Sequence, residues 1–406
     1  MLKLYSENPN LKADIKISGS KSETNRLLIL QAFFPNLIIE NKSDSDDTKV
    51  LEKALSSQEK TIDIGHAGTA MRFLTAYFAF QKQEKILTGS QRMQNRPIHI
   101  LVKALQELGA NIQYQKKEGF PPLRIQKGEI SQHKIKIKAN ISSQFVSALL
   151  LIGSTFPKGL TIELQGEILS KPYIEMTLSL LSQIGISNNF IDNKIQVFPT
   201  KKIHSQKVIV ESDWSSASYF YSLAALADSA KLELSSFKKN SFQGDIKVVD
   251  FYKKLGIETH FQENSILLKK KKKLIYPDKF TADLTNFPDL AQTLAVTCLG
   301  LKIPFELTGL STLKIKETDR LKALQIELSK LGAEIHINKN TLLGKPPTIL
   351  KKNAEISTYQ DHRMAMAFAP LALKTPLKIK DPEVVSKSFP TFWEVLKACE
   401  IKQIFE

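Results

Sequence analysis

Cysteine is scarce in this chain, with only Cys298 and Cys399 among 406 residues. Two cysteines so far apart in sequence exclude a disulfide scaffold and a CxxC metal site. Long apolar runs are also missing, because no segment approaches the roughly 20 residues that a membrane-spanning helix needs. The first seven residues lack the apolar stretch of a signal peptide. We therefore expect a protein of the cytoplasm, which is a reducing compartment.

Acidic residues are outnumbered by basic ones. The chain has 41 Asp and Glu against 57 Lys and Arg, a formal net charge of +16. This excess favours anionic partners, which include nucleic acid, membrane surfaces and phosphorylated small molecules, and charge alone does not choose among them. A hydrophobic content of 42% is ordinary for a folded protein and argues against wholesale disorder. The length favours two or three domains.

The most regular feature of the sequence is a helix start made of small or polar residues and followed by an apolar helix. Six such starts occur, at Ser22, Gly68, Ser142, Ser215, Asp289 and Asp361. From the second start onward they recur at intervals of roughly 72 to 74 residues, whereas the first interval is only about 46. Spacing of this regularity predicts a repeated structural unit.

A second, amphipathic helix type ends in a glycine that is followed by a strand-like run. Its copies end at Gly109, Gly185, Gly256 and Gly332. Glycine takes the left-handed conformation that closes many helices without a Cβ clash. Segments of alternating polarity, such as 134–138 and 161–164, predict strands with one solvated face. The pattern therefore predicts an α/β unit of two helices and several strands, repeated six times.

The starts of the apolar helices are candidate anion sites. A buried helix leaves its first N–H groups unpaired and carries partial positive charge there, which suits phosphate or carboxylate. Basic and amide side chains lie at these starts, namely Lys21, Arg26, Arg72, Gln144 and Arg363. Taken singly, each start could be an ordinary N-cap and each basic residue a surface charge. If the starts converge, they build one cationic pocket.

Eight short motifs occur in a fixed order along the chain. They are Gly19-Ser20-Lys21-Ser22 with Asn25-Arg26, Ala67-Gly68-Thr69-Ala70-Met71-Arg72, Asn95-Arg96-Pro97-Ile98, Ser142-Ser143-Gln144-Phe145, Ser170-Lys171-Pro172-Tyr173, Ser215-Ser216-Ala217-Ser218-Tyr219, Lys316-Glu317-Thr318-Asp319-Arg320 and Asp361-His362-Arg363-Met364. In this order they closely resemble the 5-enolpyruvylshikimate-3-phosphate (EPSP) synthase family, also called 3-phosphoshikimate 1-carboxyvinyltransferases. The resemblance extends from Gly19 to Pro390.

This resemblance implies an α/β fold of two similar domains with the active site in the cleft between them. Each domain would consist of three repeated units with parallel helices and four-stranded sheets. One domain would be discontinuous, residues 1–18 with 212–406, and the other, residues 19–211, would be inserted into it. The short first interval would then mark a unit that lacks a pair of strands.

The family transfers the enolpyruvyl group of phosphoenolpyruvate to the 5-hydroxyl of shikimate 3-phosphate through a tetrahedral ketal, and it releases phosphate. It is an enzyme family of aromatic amino acid biosynthesis and the target of glyphosate. The resemblance thus implies two small-molecule substrates, no metal or organic cofactor, no nucleic acid or membrane partner, and a monomer.

Motif positions assign residues to roles by resemblance. For shikimate 3-phosphate they are Lys21, Ser22, Arg26, Ser142, Ser143, Gln144, Ser170, Asp289, Thr312 and Lys316. For phosphoenolpyruvate they are Lys21, Gly68, Arg96, Gln144, Arg320, Arg363 and Lys387. Asp289 would be the base for the attacking hydroxyl, Glu317 the acid that protonates the methylene carbon, and Lys21 an aid to proton delivery to the leaving phosphate.

Other interpretations remain open at this stage. From the residues alone, Asp289 after Pro288 suits an N-cap, and Glu317 with Arg320 suits a solvated helix pair. The related transferase that uses UDP-N-acetylglucosamine depends on a loop cysteine, and the corresponding segment 89–96 has none. A basic nucleic-acid-binding repeat protein is the rival from another class, although the run 269–273 is expected to be a solvated turn. His66 and Phe73 depart from the family pattern beside Gly68 and leave glyphosate sensitivity open.

Overall fold

The computed structural model describes residues 1–139 and 142–406. These residues form two compact units, Met1–Ser18 with Glu211–Glu406 and Gly19–Val210, which we call the discontinuous unit and the inserted unit. Glu211 belongs to the discontinuous unit, one residue from the expected boundary. Within the described range, no helix combines the length and apolar character needed to cross a membrane.

Helices follow the two types seen in the sequence. In the inserted unit they are α1 (Lys21–Phe33), α2 (Asp46–Ser56), α3 (Gly68–Phe78), α4 (Gln91–Gln94), α5 (His99–Glu107), α6 (Ser143–Gly153) and α7 (Lys171–Gln183). In the discontinuous unit they are α8 (Trp214–Leu226), α9 (Val248–Lys254), α10 (Ala291–Leu301), α11 (Arg320–Lys330), α12 (His362–Phe368) and α13 (Phe392–Lys397). Short 3-10 helices span Gly244–Lys247, Pro288–Leu290, Ser311–Ile315, Ala369–Leu373 and Pro382–Lys387. The six predicted starts of apolar helices are confirmed, with Asp289 in the 3-10 turn that leads into α10.

Strands are short and lie between the helices. They are β1 (Leu2–Tyr5), β2 (Asn10–Ile15), β3 (Leu37–Glu40), β4 (Thr61–Asp63), β5 (Lys85–Thr88), β6 (Asn111–Tyr114), β7 (Leu123–Gln126), β8 (Lys134–Lys138), β9 (Leu160–Gln165), β10 (Asn188–Ile191), β11 (Lys194–Val197), β12 (Gln206–Ile209), β13 (Ser229–Ser235), β14 (Ile257–Phe261), β15 (Ser265–Lys270), β16 (Phe280–Asp283), β17 (Phe305–Thr308), β18 (Glu334–Ile337), β19 (Leu342–Lys345), β20 (Ala354–Ile356), β21 (Leu377–Ile379) and β22 (Lys402–Phe405).

Five of the sheets formed by the described residues have one pattern, a parallel pair extended by two antiparallel strands. Their orders are β4-β5-β7-β6, β8-β9-β11-β10, β2-β13-β15-β14, β16-β17-β19-β18 and β20-β21-β1-β22. The sheet beside α1 has only the parallel pair β3-β12. The missing pair of strands expected for the unit with the short first interval is therefore confirmed. The chain reaches β4 within residues 57–60 after α2, which leaves no room for the hairpin that follows the equivalent helices.

Glycines close the second helix type as predicted. Gly109, Gly185, Gly256 and Gly332 have φ of +107°, +83°, +88° and +99°, each two residues beyond the last residue of its helix. Two further helices, α2 and α13, end without such a glycine. The sequence signal therefore identified both the helix ends and their backbone conformation.

Each unit has its own hydrophobic core, built around the apolar helices. In the inserted unit α3 packs against α6, and in the discontinuous unit α10 packs against α8 and α12.

Two lysines of the run 269–273 belong to the folded structure. Lys269 and Lys270 lie in β15, and the Lys270 ammonium donates hydrogen bonds to the carbonyls of Ala225 and Ala227 at the end of α8. The expectation of a turn is wrong for these two lysines because both lie in a strand, and the Lys270 ammonium also satisfies carbonyls that end a helix.

Two of the helix-closing glycines should respond differently to alanine. At Gly185 a Cβ would meet nothing within 4 Å, so Gly185→Ala should cost only the left-handed conformation, ~1–2 kcal/mol of unfolding free energy. At Gly109 a Cβ would lie 1.8 Å from the Glu129 carbonyl oxygen. Gly109→Ala should therefore add an overpacking cost of ~1–3 kcal/mol. Urea unfolding of both variants measures the difference, and equal midpoints would contradict the packing argument.

Candidate active site

The centre of the candidate site in the discontinuous unit is the buried guanidinium of Arg320, the first residue of α11. Its Nη1 donates to Asp289 Oδ1 at 2.9 Å and its Nη2 to Glu317 Oε2 at 2.9 Å. Its Nε donates to Asp361 Oδ2 at 2.7 Å and its Nη2 also to Asp361 Oδ1 at 3.3 Å. Burial disfavours the charge, but Asp361, Glu317 and Asp289 outweigh it and keep the pKa of Arg320 above its ordinary value. Carboxylates from three different segments thus meet on one side chain.

Three further basic residues join this network. Arg363 Nη2 lies 2.9 Å from Asp289 Oδ2, Lys316 Nζ lies 3.6 Å from Asp289 Oδ1, and Lys387 Nζ lies 3.5 Å from Glu317 Oε1. Six residues that the sequence assigned to the site are therefore neighbours, namely Asp289, Lys316, Glu317, Arg320, Arg363 and Lys387. The interpretation of Glu317 and Arg320 as a solvated pair does not hold, because Arg320 is 2% exposed.

Asp289 is strongly held in its charged form. Burial favours the neutral acid, but the positive charges of Arg363, Lys316 and Arg320 outweigh burial and hold the pKa of this carboxyl well below its usual range. Asp289 is therefore an ionised acceptor, and its basicity depends on how completely these three cations remain committed to it.

A fourth carboxyl lies behind the network. Asp245, buried in the 3-10 helix Gly244–Lys247, accepts a hydrogen bond from the Ser215 hydroxyl. Ser215 in turn lies 3.3 Å from Arg363 Nη2. Burial and then the like charge of Asp289 raise the pKa of Asp245 to about 6. In the sequence Ser215 is a helix start and part of a family motif without an assigned role, and no motif indicates Asp245.

Arg26 in α1 forms the corresponding buried cation of the inserted unit. It donates to Thr177 Oγ1 at 2.7 Å, the Ser22 carbonyl at 2.8 Å, Ser147 Oγ at 3.1 Å and the Tyr173 carbonyl at 3.2 Å. All four acceptors are uncharged. Burial lowers the pKa of Arg26 to about 10, and its guanidinium lies 5.5 Å from the centroid of the Phe73 ring. A desolvated cation with neutral acceptors gains from a bound anion.

The start of α3 is closely surrounded by basic side chains. Arg72 Nη1 donates to the Gly68 carbonyl at 3.0 Å. A Cβ on Gly68 would lie 2.6 Å from Arg96 Nη1 and 3.2 Å from Arg72 Nη1. Gln144 Nε2 in turn donates to Thr69 Oγ1 at 3.2 Å, which joins the starts of α3 and α6. Only glycine lets these two guanidinium groups approach the helix start so closely.

The other assigned residues of the inserted unit lie at helix starts as well. Lys21 pairs with Asp47 at 3.1 Å. Ser142 is the N-cap of α6, its hydroxyl accepting from the Gln144 amide at 3.4 Å, and Ser143 is the first residue of that helix. Ser170 precedes α7 in a left-handed conformation with φ of +54°.

Thr312 lies apart from these contacts in the discontinuous unit. It belongs to the 3-10 helix Ser311–Ile315, and its buried hydroxyl has no hydrogen-bond partner among the described residues. The structure therefore does not join Thr312 to the Arg320 network.

Sequence reasoning missed residues that hold the assigned ones in place. Asp361 is a predicted helix start and part of a family motif but has no predicted role, although its carboxylate accepts from both Arg320 and the Arg363 amide. Asp47 lies in the first turn of α2 and pairs with Lys21, and no motif of the sequence indicates this partner. Partner choice of this kind depends on tertiary packing, which the local pattern does not encode.

Comparisons with known proteins agree on one family. The family model described as "EPSP synthase (3-phosphoshikimate 1-carboxyvinyltransferase)" matches residues 36–396. Proteins named 3-phosphoshikimate 1-carboxyvinyltransferase are 46% identical in Bacteroides fragilis, over 97% of both chains, and 38% identical in Haemophilus influenzae, over 96% of this chain and 97% of the other.

Solved structures show the same fold at low sequence identity. EPSP synthase from Acinetobacter baumannii superposes with a TM-score of 0.76 at 21% identity over 100% of both chains. The enolpyruvyl transferase NikO from Streptomyces tendae gives a TM-score of 0.74 at 15% identity, covering 99% of this chain and 98% of that chain.

Asp245 should make stability depend on pH. Because its pKa is raised to about 6, the folded protein keeps a proton that the unfolded chain has already released between the ordinary aspartate value and that pH. Its contribution to stability therefore falls as pH rises through this window. Asp245→Asn removes that loss, so its melting temperature relative to wild type should be higher at about pH 7.5 than at about pH 5. Thermal melts of both proteins at the two pH values test this, and a constant difference would show that Asp245 ionises normally.

Proposed function

The chain belongs to the EPSP synthase (3-phosphoshikimate 1-carboxyvinyltransferase) family, and on that premise we propose that it transfers the enolpyruvyl group of phosphoenolpyruvate to the 5-hydroxyl of shikimate 3-phosphate. Phosphate is released, and a tetrahedral ketal is the intermediate. One observation carries the assignment of roles: two carboxylates, Asp289 and Glu317, accept from adjacent nitrogens of the single guanidinium of Arg320. This arrangement supplies two acid–base groups side by side in a cationic setting.

Asp289 takes the base role in this proposal. An anion bound to Arg320 and Arg363 would share the positive charge that now lowers the pKa of Asp289, and so would raise its basicity. Phosphoenolpyruvate is such an anion, through its carboxylate and its phosphate. Substrate binding would therefore itself prepare Asp289 to accept the proton of the 5-hydroxyl.

Glu317 takes the acid role. It delivers a proton to the methylene carbon while the hydroxyl oxygen bonds to the adjacent carbon, which yields the ketal. In the second step it removes a proton from the new methyl group, the carbon–carbon double bond re-forms and phosphate leaves. Lys21 protonates the departing phosphate, and the proton that Asp289 took from the 5-hydroxyl returns to Lys21 through solvent, so that both groups are restored. Lys387, 3.5 Å from Glu317, is suited to the negative charge of phosphoenolpyruvate beside that carboxyl.

The inserted unit supplies most of the proposed contacts to shikimate 3-phosphate. Buried Arg26 suits the ring carboxylate because its own acceptors are neutral. The start of α6 suits a phosphate, because backbone N–H groups and the hydroxyls of Ser142 and Ser143 lie there. The remaining assignments are Ser22, Gln144, Ser170, Asp289, Thr312 and Lys316 for this substrate, and Gly68, Arg96 and Gln144 with Lys21 for phosphoenolpyruvate.

The proposal also includes a cytoplasmic monomer that acts without metal, organic cofactor or nucleic acid. The family resemblance supports the oligomeric state and the absence of a cofactor. Cys298 and Cys399 are both free and buried, which supports a reducing compartment. In the discontinuous unit the basic side chains of the site pair with carboxylates, which leaves them less available to the phosphates of a nucleic acid.

The function is tested by phosphate release from phosphoenolpyruvate with two acceptors, shikimate 3-phosphate and UDP-N-acetylglucosamine. Release should occur with the first acceptor only, and release with the second alone would overturn the proposal. Asp289→Asn is the control for chemistry, since it keeps the shape but cannot take up the proton. Its kcat should fall by about 100-fold or more, with a much smaller change in either KM.

Gly68→Ala should weaken phosphoenolpyruvate binding selectively. The added Cβ would lie 2.6 Å from Arg96 Nη1 and must displace that side chain. Losing one charge-assisted contact should raise the KM for phosphoenolpyruvate by about tenfold or more, while that for shikimate 3-phosphate changes little. Steady-state kinetics with each substrate varied checks this. Equal changes in both constants, or none, would mean that this helix start does not contact phosphoenolpyruvate.

A further inference from the structure

Helix α11 carries a second buried charged group that the proposed reaction does not use. Glu327 lies seven residues after Arg320, about two helical turns, so both side chains leave the same face of the helix. The Glu327 side chain is fully buried. A buried carboxylate is costly unless several donors satisfy it, so its partners indicate what it holds.

The partners of Glu327 lie on the segment that leads to Asp361. Its carboxylate accepts from the Tyr359 hydroxyl at 2.6 Å and from the Ser357 amide at 3.1 Å. Lys330 donates to both carboxylate oxygens, at 2.8 and 2.7 Å, and also to the Glu355 carbonyl at 2.9 Å. Glu327 therefore fixes the chain from the end of β20 onward against α11.

Two residues of this segment adopt a conformation that side chains with a Cβ rarely take. Tyr359 and Gln360 both have φ of +55°, although neither is glycine. Two such residues in succession persist only when the structure on both sides holds them. One side is the Glu327–Tyr359 hydrogen bond, and the other is Asp361, whose carboxylate pairs with Arg320.

Asp361 connects the turn at residues 358–360 to the two arginines of the site. Its backbone amide donates to the Thr358 carbonyl at 2.9 Å, so its position follows the turn. Its carboxylate accepts from the Arg363 amide at 2.9 Å and from Arg320 Nε at 2.7 Å. The segment 357–361 is thus attached to α11 at two points, and both arginines proposed to bind phosphoenolpyruvate depend on the second.

We propose that Glu327 and Tyr359 are positioning residues for the Arg320–Arg363 anion site, an inference that rests on the proposed function. Their hydrogen bond holds residues 359 and 360 at positive φ and thereby sets Asp361 against Arg320. Without it, these two residues relax toward negative φ and Asp361 shifts away from the guanidinium. The arginines then lose the fixed geometry on which binding of a small dianion depends. A residue that only stabilised the fold would lower the melting temperature without separating the two substrates.

The test compares two tyrosine variants that each lose one hydrogen bond of a hydroxyl group in the discontinuous unit. Tyr359→Phe removes the 2.6 Å bond to Glu327. Tyr252→Phe removes the 2.7 Å bond between Tyr252 in α9 and Thr297, and neither of those residues belongs to the site. Tyr359→Phe should raise the KM for phosphoenolpyruvate by about three- to tenfold and leave that for shikimate 3-phosphate within about twofold. Tyr252→Phe should change neither constant.

Glu327→Gln and Glu327→Ala extend the test to the other partner. Glutamine keeps one acceptor oxygen for Tyr359 or Ser357, so it should retain more affinity for phosphoenolpyruvate than alanine does. Should the alanine variant fail to fold, Tyr359→Phe still decides the question. The proposal is overturned if Tyr359→Phe leaves both constants unchanged, or if it and Tyr252→Phe raise both constants alike.

A readout without substrate separates this inference from the proposed function. Amide hydrogen exchange of peptides covering residues 357–368 should be faster in Tyr359→Phe than in wild type, and unchanged there in Tyr252→Phe. Wild type that releases no phosphate from the two substrates would refute the function but leave this measurement valid. Unchanged exchange in Tyr359→Phe would refute the positioning role even in an active enzyme.

Discussion

The buried guanidinium of Arg320 is the interaction on which the candidate site of the discontinuous unit depends. A charge at 2% exposure is tolerated only because Asp289, Glu317 and Asp361 all reach it. Each carboxylate comes from a different segment, so the ion cluster also fixes the starts of α10, α11 and α12 relative to one another. Removing the guanidinium would leave these carboxylates together without their common partner, and breaking a single buried pair already costs about 3–5 kcal/mol. Arg320 therefore serves both the stability of the fold and the proposed chemistry, so substitutions at this residue should also reduce stability.

The two units meet the same requirement, buried positive charge at helix starts, in different ways. In the discontinuous unit every cation of the network already has a carboxylate, so an incoming anion must compete with Asp289 or Glu317. In the inserted unit the acceptors that the described residues offer Arg26 are neutral, so an incoming anion competes with no carboxylate there. The first arrangement couples binding to the basicity of a carboxylate, whereas the second provides affinity alone. This difference matches the division of the proposed reaction into an acid–base part and an anchoring part.

Local signals predicted much of this fold, because the features concerned are set by short stretches of chain. The apolar helix starts and the positive φ of Gly109, Gly185, Gly256 and Gly332 follow from neighbours within a few residues. The contacts of the Arg320 network do not follow from neighbouring residues. Asp361 lies 41 residues from Arg320, and Glu327 lies 32 residues from Tyr359. Such pairings arise only once the helices pack, so the sequence indicated which residues have chemistry but not which of them hold the others. The resemblance to a known family assigns roles to the proposed reacting groups. It assigns none to the residues that hold them in place, such as Asp361 and Glu327.

The net charge of +16 is a poor measure of how this protein binds anions. In the described network, four basic side chains face three carboxylates in direct pairs, so the excess of positive charge there is small. Many of the other lysines pair with acids on exposed surface, as Lys136 does with Glu163, where solvent screening leaves an ion pair with little energy. What makes the site attractive to an anion is desolvation. Arg26 and Arg320 are buried, hydrogen-bonded and fixed in orientation before any anion arrives, so an anion that reaches them gains paired, charge-assisted bonds without first ordering the side chains. In the proposed function, specificity therefore depends on a few buried guanidinium groups and their proposed positioning partners, and the surface lysines contribute only a general attraction.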